Sequence, residues 1–390
     1  MKNKSQWPFF SKGEIKAVRK ILESNKVNYL FGGEGHRFEK NFATFSDSKY
    51  ALAVANGTLA LDLCMRSIGI SKNDEVIVTG RTFIASASCI SILGGTPVFV
   101  DVDLNTQNIN VESIKRAITK KTKAIICVHF AGFPCDMPEI MKIAKKNSLF
   151  VIEDCAQAHG AKINNRSVGS FGDINAWSFC NDKIMTTGGE GGMVTTNNKN
   201  LYNWVCSFNN HGKDLRKYYA ISKKAINTFP LIHYSLGLNY RLTEMQSAIG
   251  NFQLNKMQSW TSIRNRNAEI IIKKLKNLDL IVTPNIDKKF IHAFYKLYLT
   301  IDPNYLKPKK NRGNILKELN KRGVMASFGS SGRVFAEKAF HEFKTVPPGL
   351  PNSSFLEKNS IMIQVHPTIT KNEISNTASI IHKVLLGFQK

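Results

Sequence analysis

Three short stretches of the sequence combine residue types that could bind a phosphate, hold a charge and supply an amine. In the first, Asn56, Gly57 and Thr58 stand between a short apolar run and a helix-like segment. A helix that begins there would present free N–H groups and the positive end of its dipole, which suits a phosphate, and glycine would let the backbone approach closely. The alternative interpretation is an ordinary strand-to-helix turn with a helix cap.

The second stretch places an acid at the end of a strongly apolar segment. Residues 149–154 read LFVIED, so Asp154 would end a buried strand. A buried carboxylate is costly unless it pairs with a charge, and a protonated heterocycle would be such a partner. A helix-capping aspartate and a metal ligand are the alternative interpretations of this residue.

The third stretch contains a lysine between a strand-like run at residues 175–179 and a glycine-rich turn at residues 188–192. Lysine normally prefers an open surface, so the position of Lys183 is unusual. A lysine amine that loses its proton can bond to an aldehyde, and the glycines would let a bulky cofactor come close. A surface lysine is the alternative, and the glycine run lacks the order of a P-loop.

Together the three stretches are more specific than any one of them. They provide an anion site, a partner for a protonated ring and an amine, which are the three requirements of pyridoxal 5′-phosphate. The sequence therefore predicts this cofactor.

The segments that must position these residues alternate between strand-like and helix-like patterns from about residue 50. Apolar runs at residues 75–79, 97–101 and 123–128 are separated by longer stretches, several of them helix-like. Continuous apolar strands that alternate with helices predict an α/β fold with a mostly parallel sheet covered by helices on both faces. Ligands of such sheets bind beyond the carboxyl ends of the strands, where all three stretches fall.

The pattern changes after about residue 250. A long helical segment is followed by short mixed strands and by helices predicted at residues 312–322 and 372–387. We therefore predict a large cofactor-binding domain over residues 1–250 and a smaller α+β domain over residues 251–390. The chain has 390 residues, of which 43% are hydrophobic, and this is enough for both cores.

The order of the motifs resembles the DegT/DnrJ/StrS family of nucleotide-sugar aminotransferases, which are fold-type I pyridoxal-phosphate enzymes. The resemblance covers residues 8–256 in good register and the rest more loosely. The motifs that carry it are ANGTLALDLCM, DEVIVTGRTFIASA, GGTPVFVDVD, EDCAQAHGA, SFCNDKIMTTGGEGGMV and LGLNYRLTEMQSAIG.

The resemblance implies roles for residues around the ring of the cofactor. Lys183 would bond to the cofactor and later carry the proton between substrate and cofactor. Asp154 would keep the ring nitrogen protonated, so that the ring withdraws electrons. Phe83 would stack on the ring, and Gln157 would lie near the ring or its hydroxyl.

It also implies how the phosphate is held. Gly57 and Thr58, helped by Ser178, would contact the phosphate within one subunit. Asn239 would reach a phosphate across the interface from the partner subunit. This last role implies a homodimer with an active site shared across the interface.

A dehydratase branch of the family carries histidine at the lysine position, so Lys183 favours transamination. The implied reaction moves an amino group from glutamate to a keto group of a nucleotide-linked deoxysugar. The expected acceptor is a dTDP- or GDP-4-keto-6-deoxyhexose, and the expected pathway makes O-antigen or another surface polysaccharide. Residues 325–333, which read MASFGSSGR, depart from the His/Tyr/Pro-rich segment of many relatives. A 3-keto sugar and a non-catalytic regulator on the same fold stay alternatives.

The net charge of +25 requires a nucleic-acid partner to be considered. The basic residues are scattered in short pairs, without an arginine-rich helix, a zinc finger or an aromatic RNA-binding signature. We therefore predict no nucleic-acid partner and interpret the charge first as a Lys- and Asn-rich sequence bias with solvated basic faces. A positive field that assists the capture of an anionic ligand is the alternative interpretation.

The seven cysteines are widely spaced and form no C-x-x-C pair, so we predict neither a disulfide framework nor a metal site. The N-terminus lacks the apolar region of a secretory signal, and no run approaches the roughly 20 apolar residues of a membrane span. These features predict a cytoplasmic protein.

Overall fold

The computed structural model describes residues 6–214, 231–329 and 332–390, so residues 330 and 331 of the divergent segment 325–333 lie outside it. Its helices are α1 (Lys12–Glu23), α2 (Glu34–Phe45), α3 (Gly57–Ser67), α4 (Ala85–Ile92), α5 (Val111–Ala117), α6 (Met137–Lys146), α7 (Lys199–Phe208), α8 (Glu244–Leu254), α9 (Met257–Leu275), α10 (Arg312–Lys321), α11 (Pro351–Asn359) and α12 (Lys371–Phe388). Its strands are β1 (Tyr50–Val54), β2 (Glu75–Thr79), β3 (Thr96–Val100), β4 (Thr122–Val128), β5 (Phe150–Asp154), β6 (Lys162–Ile163), β7 (Arg166–Ser167), β8 (Ile174–Ser178), β9 (Gly192–Thr196), β10 (Ile281–Val282), β11 (Phe290–Ile291), β12 (Leu297–Ile301), β13 (Ala326–Ser327), β14 (Thr345–Val346) and β15 (Ser360–Ile363).

Eight strands form the main sheet in the order β1-β9-β8-β5-β4-β2-β3-β14. The neighbours from β14 to β8 pair in parallel, whereas β9 runs antiparallel to both β8 and β1. It follows that β1 runs in the same direction as the parallel strands. The carboxyl ends of all strands of this sheet except β9 therefore reach one edge, and the predicted mostly parallel sheet is confirmed.

Helices cover both faces of the main sheet, because successive side chains of a strand enter different apolar clusters. Val76 and Val78 of β2 pack in a cluster with residues of α3 and α4. Ile77, between them, packs in another cluster with residues of α5 and α6. Burial on both faces explains why these strands read as continuous apolar runs.

A smaller sheet has the order β10-β12-β15-β13, and its neighbouring strands are antiparallel. It shares an apolar cluster with α9, α10 and α12, represented by Ile271, Leu319 and Ile381. A domain boundary at residue 250 stays a prediction. Two short strands from beyond that residue join elements from before it, since β14 pairs with β3 and β11 pairs with β6.

All seven cysteines carry free thiols; six are buried and Cys180 is half-buried. Among the described helices, none combines the length and the apolar character that a membrane span requires.

Glu153, the penultimate residue of β5, holds the loop between β7 and β8. The side chain is fully buried, and its Oε1 accepts hydrogen bonds from the backbone N–H groups of residues 171–172 at 2.8 and 2.7 Å. Its Oε2 accepts from the N–H of Gly169 at 2.8 Å and from His129 Nε2 at 2.9 Å. His129 Nδ1 accepts the N–H of Cys135, so Nε2 carries the proton. Burial raises the pKa of Glu153, but these hydrogen bonds outweigh burial and bring the pKa below its ordinary value.

Cys155 lies close enough to His129 and Glu153 for the three to form a potential metal-binding group. However, His129 Nε2 donates to Glu153, and both carboxylate oxygens already accept two hydrogen bonds each. The geometry therefore favours a structural hydrogen-bond network at this position.

We expect Glu153→Ala to lower the free energy of unfolding by about 3 kcal/mol, because it leaves several buried donors without an acceptor. Urea unfolding followed by circular dichroism measures the change. Glu112→Ala, which removes an exposed glutamate of α5, is the matched control and should shift stability by less than about 0.5 kcal/mol. Equal unfolding midpoints for the two variants would contradict the role given to Glu153.

Candidate active site

A cavity of about 500 Å³ lies at the carboxyl edge of the main sheet, where its wall includes residues that end or follow β1, β2, β4, β5 and β8. The structure brings together there most of the predicted site residues. Those that line the cavity are Gly57, Thr58, Phe83, Asp154, Gln157, Ser178 and Lys183. Their roles stay predictions.

Asn239 is the predicted site residue that does not line the cavity of its own chain. It is exposed, and its Oδ1 accepts the backbone N–H of Arg241 at 3.3 Å. Its predicted role, which requires a partner subunit, stays a prediction.

The start of α3 forms one wall of the cavity. Asn56 Oδ1 accepts the N–H of Leu59 at 2.9 Å, so Asn56 caps the start of α3. The N–H groups of Gly57 and Thr58 have no acceptor within the helix, as at every helix start, and so suit an anion. A side chain at Gly57 would place its Cβ 2.6 Å from Ser178 Cβ. Glycine therefore allows α3 to begin against the end of β8.

Asp154 forms the floor of the cavity at the end of β5 and is only 6% exposed. Its Oδ2 accepts a hydrogen bond from Ser86 Oγ at 2.7 Å, and its Oδ1 accepts the N–H of Ala156 at 3.1 Å. Ser86 Oγ also lies 2.8 Å from Thr82 Oγ1. The buried ion pairs of the described residues do not involve Asp154. Its orientation is thus fixed while its charge is available to a cationic ligand.

Lys183 lies in the loop between β8 and β9, and its side chain reaches the cavity. Its Nζ is 5.2 Å from the centre of the Tyr295 ring. Its backbone carbonyl accepts a hydrogen bond from Trp7 Nε1 at 2.9 Å. Trp7 in turn packs edge-on against Trp260, with ring centres 5.0 Å apart, and the Arg264 guanidinium lies 5.0 Å from the Trp7 ring. The surface-lysine interpretation is therefore not favoured, because both ends of this residue have specific contacts.

Two further side chains can act on a planar ligand. Gln157 is buried, and its Oε1 accepts the N–H of Ala131 at 2.8 Å, so its Nε2 is the atom available to donate. Phe83 is 57% exposed although it lines the cavity, and it offers an aromatic face.

Sequence reasoning missed several residues of this site. Ser86, Trp7, Asp182 and Tyr295 contact or line it. Ser86 is one of several small residues of α4, and Tyr295 lies in an ordinary apolar run, so neither carries a local signal. Asp182 does carry a local signal in the sequence, because it directly precedes Lys183. The structure places both residues in the wall of the same cavity.

Comparison with known proteins gives consistent results. A family model described as the DegT/DnrJ/EryC1/StrS aminotransferase family matches residues 9–382. The solved structure of an aminotransferase from Psychrobacter cryohalolentis has a TM-score of 0.94 and 46% identity, covering 98% of this chain and 99% of that chain. A GDP-perosamine synthase of Escherichia coli O157:H7 is 43% identical over 255 residues, which are 65% of each chain. A UDP-N-acetyl-3-dehydro-alpha-D-glucosamine 3-aminotransferase of Acidithiobacillus ferrooxidans is 33% identical over 378 residues, 96% of this chain and 94% of that protein.

We expect Gly57→Ala to weaken the binding of pyridoxal phosphate about tenfold, because the new Cβ must push α3 away from Ser178. Titration of the protein with the cofactor, followed by absorbance, measures the affinity. Gly387→Ala is the matched control, since a Cβ at Gly387 in α12 would meet no atom within 4 Å. Wild-type affinity in Gly57→Ala would show that the phosphate does not depend on this contact.

Proposed function

Because the chain belongs to the DegT/DnrJ/EryC1/StrS aminotransferase family, we propose that it transfers an amino group from glutamate to a keto group of a nucleotide-linked deoxysugar. The chain is an aminotransferase, and pyridoxal 5′-phosphate is its cofactor. The observation that carries the proposal is the convergence of Lys183, Asp154 and the start of α3 on one cavity.

The groups that line the cavity fit this cofactor. The free N–H groups at the start of α3 suit the phosphate, and Gly57 and Thr58, with Ser178 nearby, would hold it. Asp154 is a buried acid with its orientation fixed, which suits a protonated ring nitrogen. Phe83 offers a face for the ring.

When bound, pyridoxal phosphate supplies an aldehyde that takes up the amino group and a ring that accepts electron density. Lys183 would hold the cofactor through its Nζ and, once released, would move a proton at the substrate carbon. Asp154 would hold the proton at the ring nitrogen, with its carboxylate oriented by Ser86. Gln157 would lie near the ring or its hydroxyl with Nε2 free to donate, because its oxygen already accepts from Ala131. Trp7 binds the backbone carbonyl of Lys183 and leaves the lysine side chain to the cavity.

The acceptor is a keto sugar joined to a nucleotide. The two relatives named above carry GDP and UDP in their names, and a net charge of +25 favours such anionic substrates. The GDP-perosamine synthase is 43% identical over 255 residues, and its name supports a GDP-linked sugar. Our first candidate is a GDP- or dTDP-4-keto-6-deoxyhexose, used in O-antigen or other surface polysaccharide synthesis. A 3-keto sugar is the second candidate, because the other relative is a 3-aminotransferase.

A non-catalytic regulator on the same fold would not need a lysine, a fixed acid and an anion site in one cavity, so the geometry favours the enzyme. The absence of a nucleic-acid partner and the cytoplasmic location stay predictions.

We further propose a homodimer in which the partner subunit completes the cavity through Asn239. Asn239 is exposed on its own chain and follows a segment with exposed apolar side chains. Leu231 is 90% exposed and Leu236 is 94% exposed, and Tyr234 and Leu238 are also exposed. Such a patch is typical of a surface that a protein interface covers.

We expect the protein, loaded with pyridoxal phosphate and freed of unbound cofactor by gel filtration, to keep an absorbance band at the edge of the visible range, and glutamate to decrease it. Lys183→Ala should lose this band, because it lacks the amine that bonds to the aldehyde, whereas the surface variant Lys199→Ala should retain it. A wild-type protein that keeps no band after gel filtration would contradict the proposed function.

Asp154→Asn should keep the band but lose turnover by about 100-fold or more, since a neutral amide cannot hold the ring proton.

We expect Asn239→Ala to weaken cofactor binding about fivefold to tenfold, because it removes one phosphate contact from the partner subunit. Absorbance titration gives the affinity, and light scattering gives the mass in solution. Asn285→Ala, in an exposed loop after β10, is the matched control. A monomeric mass for the wild-type protein, or an unchanged affinity, would count against the shared site.

A further inference from the structure

Asp182 directly precedes Lys183 and lines the same cavity. Its carboxylate accepts a hydrogen bond from the Tyr295 hydroxyl at 2.7 Å and pairs with Lys296 Nζ at 3.4 Å. Tyr295 and Lys296 immediately precede β12. The two contacts therefore connect the small sheet to the loop that carries Lys183.

Lys296 is a buried cation whose contacts limit where it can go. It is 4% exposed, and its Nζ donates to Gln364 Oε1 at 3.0 Å and lies 4.7 Å from the centre of the Tyr295 ring. A buried ammonium is costly without an opposite charge nearby. Burial lowers the pKa of Lys296, and the charge of Asp182 opposes that effect. Asp182 is thus held in place by Lys296, whose buried charge its carboxylate stabilises.

Lys183 lies beside this pair. Lys183 Nζ is 5.2 Å from the centre of the Tyr295 ring, and Lys296 Nζ is 4.7 Å from the same centre, while the Tyr295 hydroxyl binds Asp182. Burial raises the pKa of Asp182, but the positive charges of Lys296 and Lys183 and the hydrogen bond from Tyr295 outweigh it, so this pKa is lowered. A carboxylate and an ammonium therefore lie around the same ring as the Lys183 nitrogen, and charges of opposite sign act in opposite directions on a group between them.

Other titratable groups surround this pair from the remaining elements. Burial, together with the charges of Lys183 and Arg264, lowers the pKa of His159 to about 3, so this ring is neutral at ordinary pH. Burial lowers the pKa of Arg264 on α9 to about 9. Asp154, Cys180 and Glu190 line the cavity as well. Substitution at Asp182 or Lys296 leaves all of these groups in place.

We propose that Asp182, held by Tyr295 and Lys296, is a positioning residue that keeps the Lys183 nitrogen protonated while that nitrogen is bonded to the cofactor. In that form the nitrogen would carry a positive charge, which would favour the approach of a substrate amine to the cofactor. Asp182 supplies the negative charge that stabilises this form, and Lys296 limits the effect. The inference rests on the proposed function and assigns to Asp182 a part in it.

The test is a pH titration of the absorbance band of the protein loaded with pyridoxal phosphate. Asp182→Asn removes the negative charge, so the nitrogen should lose its proton at a pH lower by about half a unit to one unit than in the wild-type protein. Lys296→Met removes the positive charge at similar volume, and its midpoint should rise by a similar amount. If charge is responsible, the two variants should shift the midpoint in opposite directions. If the two residues only maintain the structure, the direction of the shift should not follow the sign of the charge removed.

Two controls complete the design. Asp182→Glu keeps the charge and should restore a midpoint near that of the wild-type protein. Asp287→Asn makes the same change of charge in an exposed loop and should leave the midpoint of the wild-type protein unchanged. Equal midpoints in Asp182→Asn and Asp287→Asn, or shifts of Asp182→Asn and Lys296→Met in the same direction, would overturn the proposal.

If Asp182→Asn does not fold, as judged by circular dichroism, Lys296→Met decides the question. A raised midpoint supports the proposal, and an unchanged or lowered midpoint overturns it. A wild-type protein that shows no band would overturn the proposed function and this inference with it, so the two failures are distinguished.

Discussion

The pleat of β5 separates two neighbouring acids, and the rest of the site depends on that separation. Successive side chains of a strand point to opposite faces, so Glu153 and Asp154 cannot serve the same group. Glu153 accepts four protein hydrogen bonds and fixes the loop between β7 and β8. Asp154 accepts only two and lines the cavity. Glu153 therefore has a structural role, whereas the Asp154 carboxylate lies in the wall of the cavity.

The cavity is built by distant parts of the chain around a loop with little regular structure of its own. The main sheet contributes the strand ends, and the segment before β12 contributes Tyr295 and Lys296. The N-terminal segment contributes Trp7, which binds the Lys183 carbonyl. Lys183 is thus held at its backbone while its amine remains in the cavity. This arrangement suits the role proposed for Lys183, since a site residue has to be positioned accurately by the residues around it.

The sequence predicted the main sheet well, because burial on both faces gives strands an unbroken apolar pattern that is easily read. It also predicted which loops meet, since parallel strands end at one edge. Ser86 and Trp7 could not be predicted in this way. Each contacts a site residue that is distant in the chain: Ser86 binds Asp154, and Trp7 binds Lys183. Such contacts exist only once the chain has folded. The pairing of β14 with β3 and of β11 with β6 was also missed. Strands of two residues are too short to show an alternating pattern in the sequence.

The contacts of Trp7 have a consequence for how the chain matures. Its ring stacks against His366, with ring centres 6.0 Å apart, and Thr368 Oγ1 donates to the Gln6 carbonyl at 3.0 Å. A ribosome makes residues 366–368 after every strand of the main sheet. The strands can therefore pair during synthesis before Gln6 and Trp7 can contact residues 366–368. Assembly of the sheet and formation of these contacts are thus separate events in the synthesis of the chain.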